Sequence, residues 1–316
     1  MSKTTGILSQ DQVRTVVDRG AQALLDYCQL HGIHYLVTGS SGGLDSALTL
    51  GFAQRACQLA AANDFQLTSV GLIMPCHSDE TAERLGMKAI EKFGAKQIII
   101  DLTPAFDQAF TGSPLMVHTD IQARQILEDT GGDKQLQDWL WSQKIAQGNI
   151  KARLRMMYGT YHVARMMQGM VLSTDNLSEF WMAFWTICGD VGDYGMIQQV
   201  MKGLELYQIA EYLGVPQEIL DAKPDDGLNV GNGDADQLGA DYPTIDQIMV
   251  NLIQQGFDPD GNLSQLEHLP EVDGIDSQIV HQIAERCLRG AFKRHGTITL
   301  SREDLGLPPI KEVILS

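Results

Sequence analysis

The chain contains no apolar run approaching 18 residues, and its opening stretch, MSKTTGILSQDQ, has no hydrophobic segment of the kind a secretory leader carries. Neither a membrane span nor an export signal is expected. Cysteine is scarce and scattered: Cys28, Cys57, Cys76, Cys188 and Cys287 are odd in number and form no C-x-x-C pair. They read as reduced thiols of a cytoplasmic protein rather than a disulfide framework. Positive charge is also short, with 23 Lys and Arg against 40 Asp and Glu and a net charge of −17. Binding to duplex nucleic acid rests on neutralising phosphates with Lys and Arg. A nucleic-acid scaffold is therefore disfavoured, whereas a small anionic ligand held by a few local cations is not. Internal repeats and low-complexity tracts are absent too.

What is present is an ordinary globular composition, 44% hydrophobic and 20% charged over 316 residues. That suffices for one large α/β domain or two smaller ones. Residues 9–30 place Val13, Val16, Val17, Ala21, Leu24, Leu25 and Cys28 near helical spacing. "IHYLVT" (33–38) reads as a short buried strand, and helical spacing resumes through Leu44, Ala47, Leu48, Phe52, Ala56 and Leu59. "LTSVGLIMP" (67–75) and "KQIIID" (96–101) are further strands. Between them 78–94 forms a helix, with Ser78 as its expected N-cap and Gly94 closing it. The alternation predicts a parallel sheet with right-handed crossovers. Residues 104–146 are polar and partly helical. A long helix over 148–169 precedes a fourth strand, "MVLST" (170–174). A short helix to about 187 and one over 203–213 follow. The stretch 215–243, rich in Gly, Asp and Pro, reads as one small helix and a mobile loop that ligand would order over 222–240. Helices near 244–255 and 275–290 end the chain. The fold class expected is α/β: an open, mostly parallel twisted sheet, Rossmann-like, with helices on both faces. A helical C-terminal extension over about 244–316 completes a single domain.

"TGSSGGLDSALTL" (38–50) joins the first strand to the next helix. In open parallel sheets ligands bind beyond the carboxyl ends of the strands. Gly39, Gly42 and Gly43 let the backbone approach a ligand, Ser40, Ser41 and Ser46 offer hydroxyls, and the helix start favours an anion. No lysine stands in the loop. Asp45 beside phosphates calls for an intervening cation, and Mg²⁺ is commonly held by one or two carboxylates plus phosphate oxygens. The plainer alternative is a Gly/Ser turn with Asp45 as a first-turn acid.

S-G-G-x-D-S in this strand-to-helix context resembles the pyrophosphate loop of the N-type ATP pyrophosphatases, whose fold is of the adenine nucleotide alpha hydrolase type. Later strings resemble one branch, the NAD synthetase family. "GNIKARLRM" (148–156) is similar to that family's dinucleotide-contacting helix, with Asn149 and Arg153 on one face and Lys151 and Arg155 on another. A solvated basic face is the plainer reading. "VLSTDNLSEFWMAFWTICGD" (171–190) is similar to the family's G-T-D-x-x-x-E followed by G-D, with Ser173 in place of the usual Gly. The resemblance implies that Thr174 contacts nucleotide, that Glu179 is the second Mg²⁺ carboxylate beside Asp45, and that Asp190 orients the nicotinate. Phe184 and Trp185 either pack on the pyridine ring or belong to the core. "QVMKGLELYQIAEYLGVP" (199–216) resembles the family's lysine followed by a helix and LGVP, which implies that Lys202 is the phosphate-binding cation missing from the loop. In "AKPDDGL" (222–228), Asp225 stands where a phosphate-contacting Thr or Ser is common. "GDADQLGADYPTID" (233–246) matches a further family string, with Ala235 and Asp236 its weaker end. "AFKRHG" (291–296) nominates Lys293 and Arg294. The family's arginine before the end of the second strand is replaced by Ile73.

The resemblance spans roughly residues 10–295 through ordered motifs. It implies ATP-dependent amidation of deamido-NAD (nicotinate adenine dinucleotide) with ammonia, giving NAD, AMP and pyrophosphate through an acyl-adenylate. Mg²⁺ would be the cofactor and ATP a co-substrate. Asp45, Glu179 and Lys202 would carry the chemistry, with no histidine needed. It also implies a homodimer, with the Met-rich 150–169 helix as interface. With the loop only about forty residues from Met1 there is no room before it for a glutaminase domain, so ammonia arrives free or from a separate glutaminase. Amidation of nicotinate mononucleotide would share every motif, and a non-catalytic ATP sensor would share the sheet. A tRNA-modifying member is disfavoured by the charge and the missing C-x-x-C.

Overall fold

The computed structural model describes residues 6–110, 114–130, 139–225, 233–296 and 301–302. Among them, five parallel strands form one sheet in the order β3-β2-β1-β4-β5. They are β1 (Tyr35–Gly39), β2 (Thr68–Ile73), β3 (Lys96–Ile99), β4 (Met170–Ser173) and β5 (Tyr194–Gly195). Helix α1 (Gln10–His31) starts in a capping box between Ser9 and Gln12 and ends at left-handed Gly32. Helix α2 (Leu44–Ala62) is buried on nearly every side. Helix α3 (Glu80–Lys92) is capped by Asp79 and not by Ser78, whose hydroxyl instead accepts from the Cys76 N–H at 3.1 Å. Two adjacent residues of good capping type competed, and the one whose carboxylate reaches the Thr81 N–H won.

Alternation along the strands sends side chains to opposite faces. Leu36, Met170 and Leu172 pack on α1 and α2 through Ala21, Leu24, Ala53 and Ala56. Val37, Val70, Leu72 and Val171 meet Val163 and Ala164 of the Tyr161–Met167 helix on the other side. Helices thus cover both faces, as the α/β reading expects. The helix expected over 148–169 is longer, running Trp139–Leu154, then a π-helical Arg155–Thr160, then Tyr161–Met167. Upstream of it, Thr103–Phe110 and Pro114–Asp129 are also helical.

Within the Gly/Asp/Pro-rich stretch, Gln217–Leu220 and Asp234–Leu238 are helical, while 226–232, central to the expected mobile loop, lies outside the described residues. Downstream, Tyr242–Gln254, a 3₁₀ turn Leu263–His268, Ser277–Arg289 and Ala291–Arg294 make the helical extension. Its core of Ile245, Ile248, Met249, Leu252, Ile283 and Cys287 is continuous with Trp181, Met182 and Met201, so the extension packs directly on the loops around β4. No helix among the described residues is long and apolar enough to cross a membrane.

The turn after β1 is pinned from below. Gly42 adopts φ +88°, and a Cβ there would run into the Ala82 carbonyl of α3. Gly42→Ala combines left-handed strain with a backbone collision. We expect it to lower stability by about 1–3 kcal/mol, read as a fall in urea midpoint at unchanged slope. An unchanged midpoint would refute this close approach.

Candidate active site

The strand order reverses direction between β1 and β4, so the loops leaving these two strands part and leave a crevice at their carboxyl ends. The Ser40–Gly43 loop forms one side. Ser40 faces inward: its N–H donates to the Leu72 carbonyl at 2.8 Å and its hydroxyl to the Gly86 carbonyl at 3.0 Å. It braces the loop on β2 and α3. Ser41 is exposed, and its hydroxyl lies 3.2 Å from that of Ser46, which donates to the Gly43 carbonyl and accepts from the Ser41 N–H. Gly43 caps α2 with no side-chain hydrogen bond, so the helix opens on the crevice with its first-turn N–H groups uncapped.

The loop after β4 forms the other side. Asn176 caps Leu177–Trp181 in a capping box with Glu179. Its amide also crosses the crevice, donating to Asp45 Oδ1 at 2.8 Å. The second Asp45 oxygen, Oδ2, lies 2.8 Å from Lys202 Nζ, and Glu179 Oε1 lies 2.9 Å from the same nitrogen. Asp234 Oδ2 is 3.9 Å away, and the Tyr242 ring lies 4.3 Å beneath the ammonium. The Tyr242 hydroxyl reaches Asp234 at 2.8 Å and Glu179 at 3.3 Å. Three residues nominated from separate strings, Asp45, Glu179 and Lys202, therefore meet at one point.

Electrostatics follow from that crowding. Only 6% of the Lys202 side chain is exposed. Burial alone would lower its pKa, but Asp45 and Glu179 overrule it and hold the ammonium well above its ordinary value. Burial pushes the Glu179 carboxyl up, Lys202 opposes the rise and Asp45 adds to it. Two carboxylate oxygens thus converge on one cation position that an ammonium now fills. Among the described residues no group of three or more His, Cys, Asp or Glu is arranged as a metal cage. Two carboxylates completed by phosphate oxygens are nevertheless a usual set for Mg²⁺, so the residues fit that ion.

A second group lies beside this centre. Thr186 donates its hydroxyl to Asn149 Oδ1 at 2.7 Å and its N–H to Asp190 Oδ2 at 2.5 Å, and Arg153 donates to the Ile187 carbonyl at 3.2 Å. Asn149, Arg153 and Asp190 are thereby gathered around one turn. Ser173, in the place of the family's usual Gly, is buried. Its hydroxyl donates to Asp175 and accepts from the Gly192 N–H at 2.8 Å, tying this turn to the end of β4. Arg155 donates to the Met74 carbonyl and the Ser78 hydroxyl at 3.3 and 3.4 Å, and Lys151 lies over Phe106 at 5.2 Å.

The remaining nominees divide. Thr174 is half-buried directly after β4, at the crevice. Trp185 stacks on Phe180 at 5.3 Å, and Lys293 Nζ lies 5.4 Å from the centre of the Trp185 ring. Phe184 packs against the C-terminal core beneath Arg286. Lys293 Nζ donates to the Ala183 and Trp185 carbonyls at 2.8 and 2.6 Å. The Arg294 side chain is only 2% exposed and spends its donors on Asp260 and the carbonyls of Phe180, Trp181, Pro259 and Cys287. In this conformation both basic residues hold the 180–185 turn, and Arg294 has no surface to offer a ligand. Asp225 is exposed at the edge of 226–232. Sequence reasoning missed Asn176, Thr186, Asp234 and Tyr242. Asp234 and Tyr242 stand in the "GDADQLGADYP" string, whose acid and tyrosine were the available signal.

The NAD synthase family model matches residues 16–297. The NH(3)-dependent NAD(+) synthetase of Syntrophomonas wolfei is 31% identical over 217 residues, covering 68% of this chain and 76% of the relative. That of Pyrococcus horikoshii is 29% identical over 293 residues, covering 92% and 98%. Among solved structures, the NMN synthetase from Francisella tularensis aligns with a TM-score of 0.67 at 23% identity, over 91% of this chain and 98% of that one. The NH3-dependent NAD synthetase from Campylobacter jejuni aligns at 0.63 and 19% identity, over 92% and 99%. At these identities the two structures speak for the fold alone.

Proposed function

The chain belongs to the NAD synthase family, a family of carbon–nitrogen ligases, and from that premise we propose that it amidates deamido-NAD with ammonia while cleaving ATP to AMP and pyrophosphate. The observation that carries this reading is the meeting of Lys202, Asp45 and Glu179 beside the uncapped start of α2. A cation, two carboxylates and a helix N-terminus form a receptor for a polyphosphate with its metal.

A carboxylate is a poor acyl donor because oxide is its leaving group. Attack by the nicotinate carboxylate oxygen on the α-phosphorus of ATP forms a new C–O–P link, and the bond to pyrophosphate breaks. Ammonia then adds to the activated carbonyl, loses its proton to solvent, and AMP departs with the former carboxylate oxygen. Neither step needs a covalent enzyme intermediate, so the protein positions reactants and stabilises charge. In this reading the α2 N–H groups, Ser41, Ser46 and Lys202 bind the departing pyrophosphate, and Thr174 contacts the nucleotide. Asn149, Arg153 and Asp190 orient the nicotinate end, with Arg155 and Lys151 as neighbouring cations. Asp45 and Glu179 would hold Mg²⁺, which supplies positive charge against the phosphates. For these carboxylates to do so the Lys202 ammonium must yield its present position and turn to the phosphates, a shift its flexible four-carbon stem allows.

Exposed Met157, Tyr158 and Met166 on the long helix suit a second copy of the chain as a homodimer partner. The names of the curated relatives favour ammonia itself as nitrogen donor; a separate glutaminase is one source we propose for it. The substrate test is a competition. With ATP, Mg²⁺ and ammonium, deamido-NAD and nicotinate mononucleotide are offered together and both amide products are measured. Preferential NAD formation is expected. Preferential mononucleotide amide would move the assignment to the smaller substrate, and no amide from either would leave an ATP-binding sensor.

A further inference from the structure

Asp246 is wholly buried, and among the described residues no cation pairs with it. One of its oxygens accepts from the Ser178 hydroxyl. The other accepts from the Gly203 N–H at 2.7 Å and the Leu204 N–H at 3.2 Å. Ser178 in turn accepts from the Lys202 N–H at 2.8 Å. The Lys202–Leu206 segment begins at Met201 without a side-chain cap from its own end. Its first three N–H groups, at 202, 203 and 204, are therefore satisfied by residues of two other helices, Leu177–Trp181 and Tyr242–Gln254. The backbones are close enough for this because residue 203 has no side chain: a Cβ on Gly203 would collide with Pro243.

Ser178 immediately precedes Glu179, so the same hydroxyl that holds the Lys202 backbone also fixes the helix turn carrying the Glu179 carboxylate. A buried charge is a costly way to stabilise a fold, and apolar replacements often serve stability as well or better. A carboxylate has a feature that an apolar or amide side chain would lack in this place: both oxygens are pure acceptors, one for a hydroxyl and one for two N–H groups. We propose that Asp246, acting through Ser178, is a positioning residue that sets the backbone of Lys202 relative to Glu179 for phosphate binding. Asp246 touches no substrate and works through the lysine. The proposal rests on Lys202 being the phosphate-binding cation.

The experiment is a double-mutant cycle on the full-length protein with Asp246→Asn, Ser178→Ala and Lys202→Ala, alone and in pairs. It reads kcat and KM for ATP, and binding of inorganic pyrophosphate with Mg²⁺ by calorimetry. A melting curve of each variant identifies any that fails to fold, and Ser178→Ala keeps the test alive if Asp246→Asn is one of them. Groups that orient a functional side chain from behind cost about 10- to 100-fold when removed. We expect that loss in kcat for Asp246→Asn and for Ser178→Ala. Pairing either with Lys202→Ala should make the enzyme no slower, and pyrophosphate binding no weaker, than Lys202→Ala alone, because groups acting as a unit are non-additive. Multiplicative losses would overturn the proposal and leave a general packing role. Wild-type rates in Asp246→Asn and Ser178→Ala beside an impaired Lys202→Ala would overturn it too, while leaving the lysine assignment intact. A wild-type Lys202→Ala would overturn both.

Discussion

Lys202→Ala should slow amide formation by about 10³-fold or more, the range for cations that stabilise phosphoryl-transfer charge. It should also cost about 3–5 kcal/mol of stability in ligand-free protein, as expected when one partner of a buried pair is removed. Both effects have one cause. The ammonium is buried between Asp45 and Glu179, with Asp234 nearby. Its loss removes the phosphate ligand and leaves carboxylates facing each other in a site with little water to screen them. A signature separates this from ordinary core damage. Mg²⁺ alone should raise the melting temperature of Lys202→Ala more than that of the wild type, because the ion then meets two carboxylates with no ammonium to displace. A variant of normal rate and normal melting temperature would contradict the assignment, and so would a destabilised variant indifferent to Mg²⁺.

Asp45→Asn should act differently. The new side chain is isosteric, and its carbonyl oxygen can keep accepting from Asn176, so the bridge across the crevice survives. Lys202 retains Glu179 as a partner. The amide NH2 that replaces Oδ2 sets a donor against the Lys202 ammonium, so stability should fall by about 1–3 kcal/mol, less than for Lys202→Ala. The rate should fall by about 10²- to 10³-fold, the usual loss when a charge-stabilising group is removed from a preorganised site. The measurement is kcat beside a chemical melt on the same preparation. A rate near wild type would make Asp45 the simple first-turn acid that composition alone allows. A large stability loss with proportionate inactivation would make it a structural residue.

Much of this site was legible in the sequence because the pyrophosphate-type turn is local. Its glycines, serines and acid lie within a few residues, and a strand and helix of clear periodicity bracket them. Glu179 and Lys202 were legible only through resemblance, since neither spacing nor composition says that two residues 23 positions apart share one nitrogen-to-oxygen contact. Asn176 was hidden because Asn at a helix start reads as a cap, which it also is. Asp246 closes the quoted 233–246 string but carried no role there, because its partners, the Ser178 hydroxyl and the Gly203 and Leu204 N–H groups, lie on other elements. β5 escaped because two residues, Tyr194 and Gly195, are too short for alternation to register. The basic pair near the C-terminus has contacts that the string does not show: Lys293 donates to backbone carbonyls of the 180–185 turn, and Arg294 to the carbonyls of Phe180 and Trp181 and to Asp260. Charge in a sequence does not reveal such contacts, because a carbonyl partner leaves no mark in the string.

The most direct test of the proposed chemistry follows one oxygen atom. Deamido-NAD carrying ¹⁸O at both oxygens of its nicotinate carboxylate is turned over with ATP, Mg²⁺ and ammonium, and the phosphorus products are read by mass spectrometry. AMP and NAD are expected in equal amounts, with one ¹⁸O transferred to each AMP and none to pyrophosphate. Label appearing in inorganic phosphate beside ADP would mean attack at the γ-phosphorus, and would contradict a loop, lysine and carboxylate pair built to receive pyrophosphate.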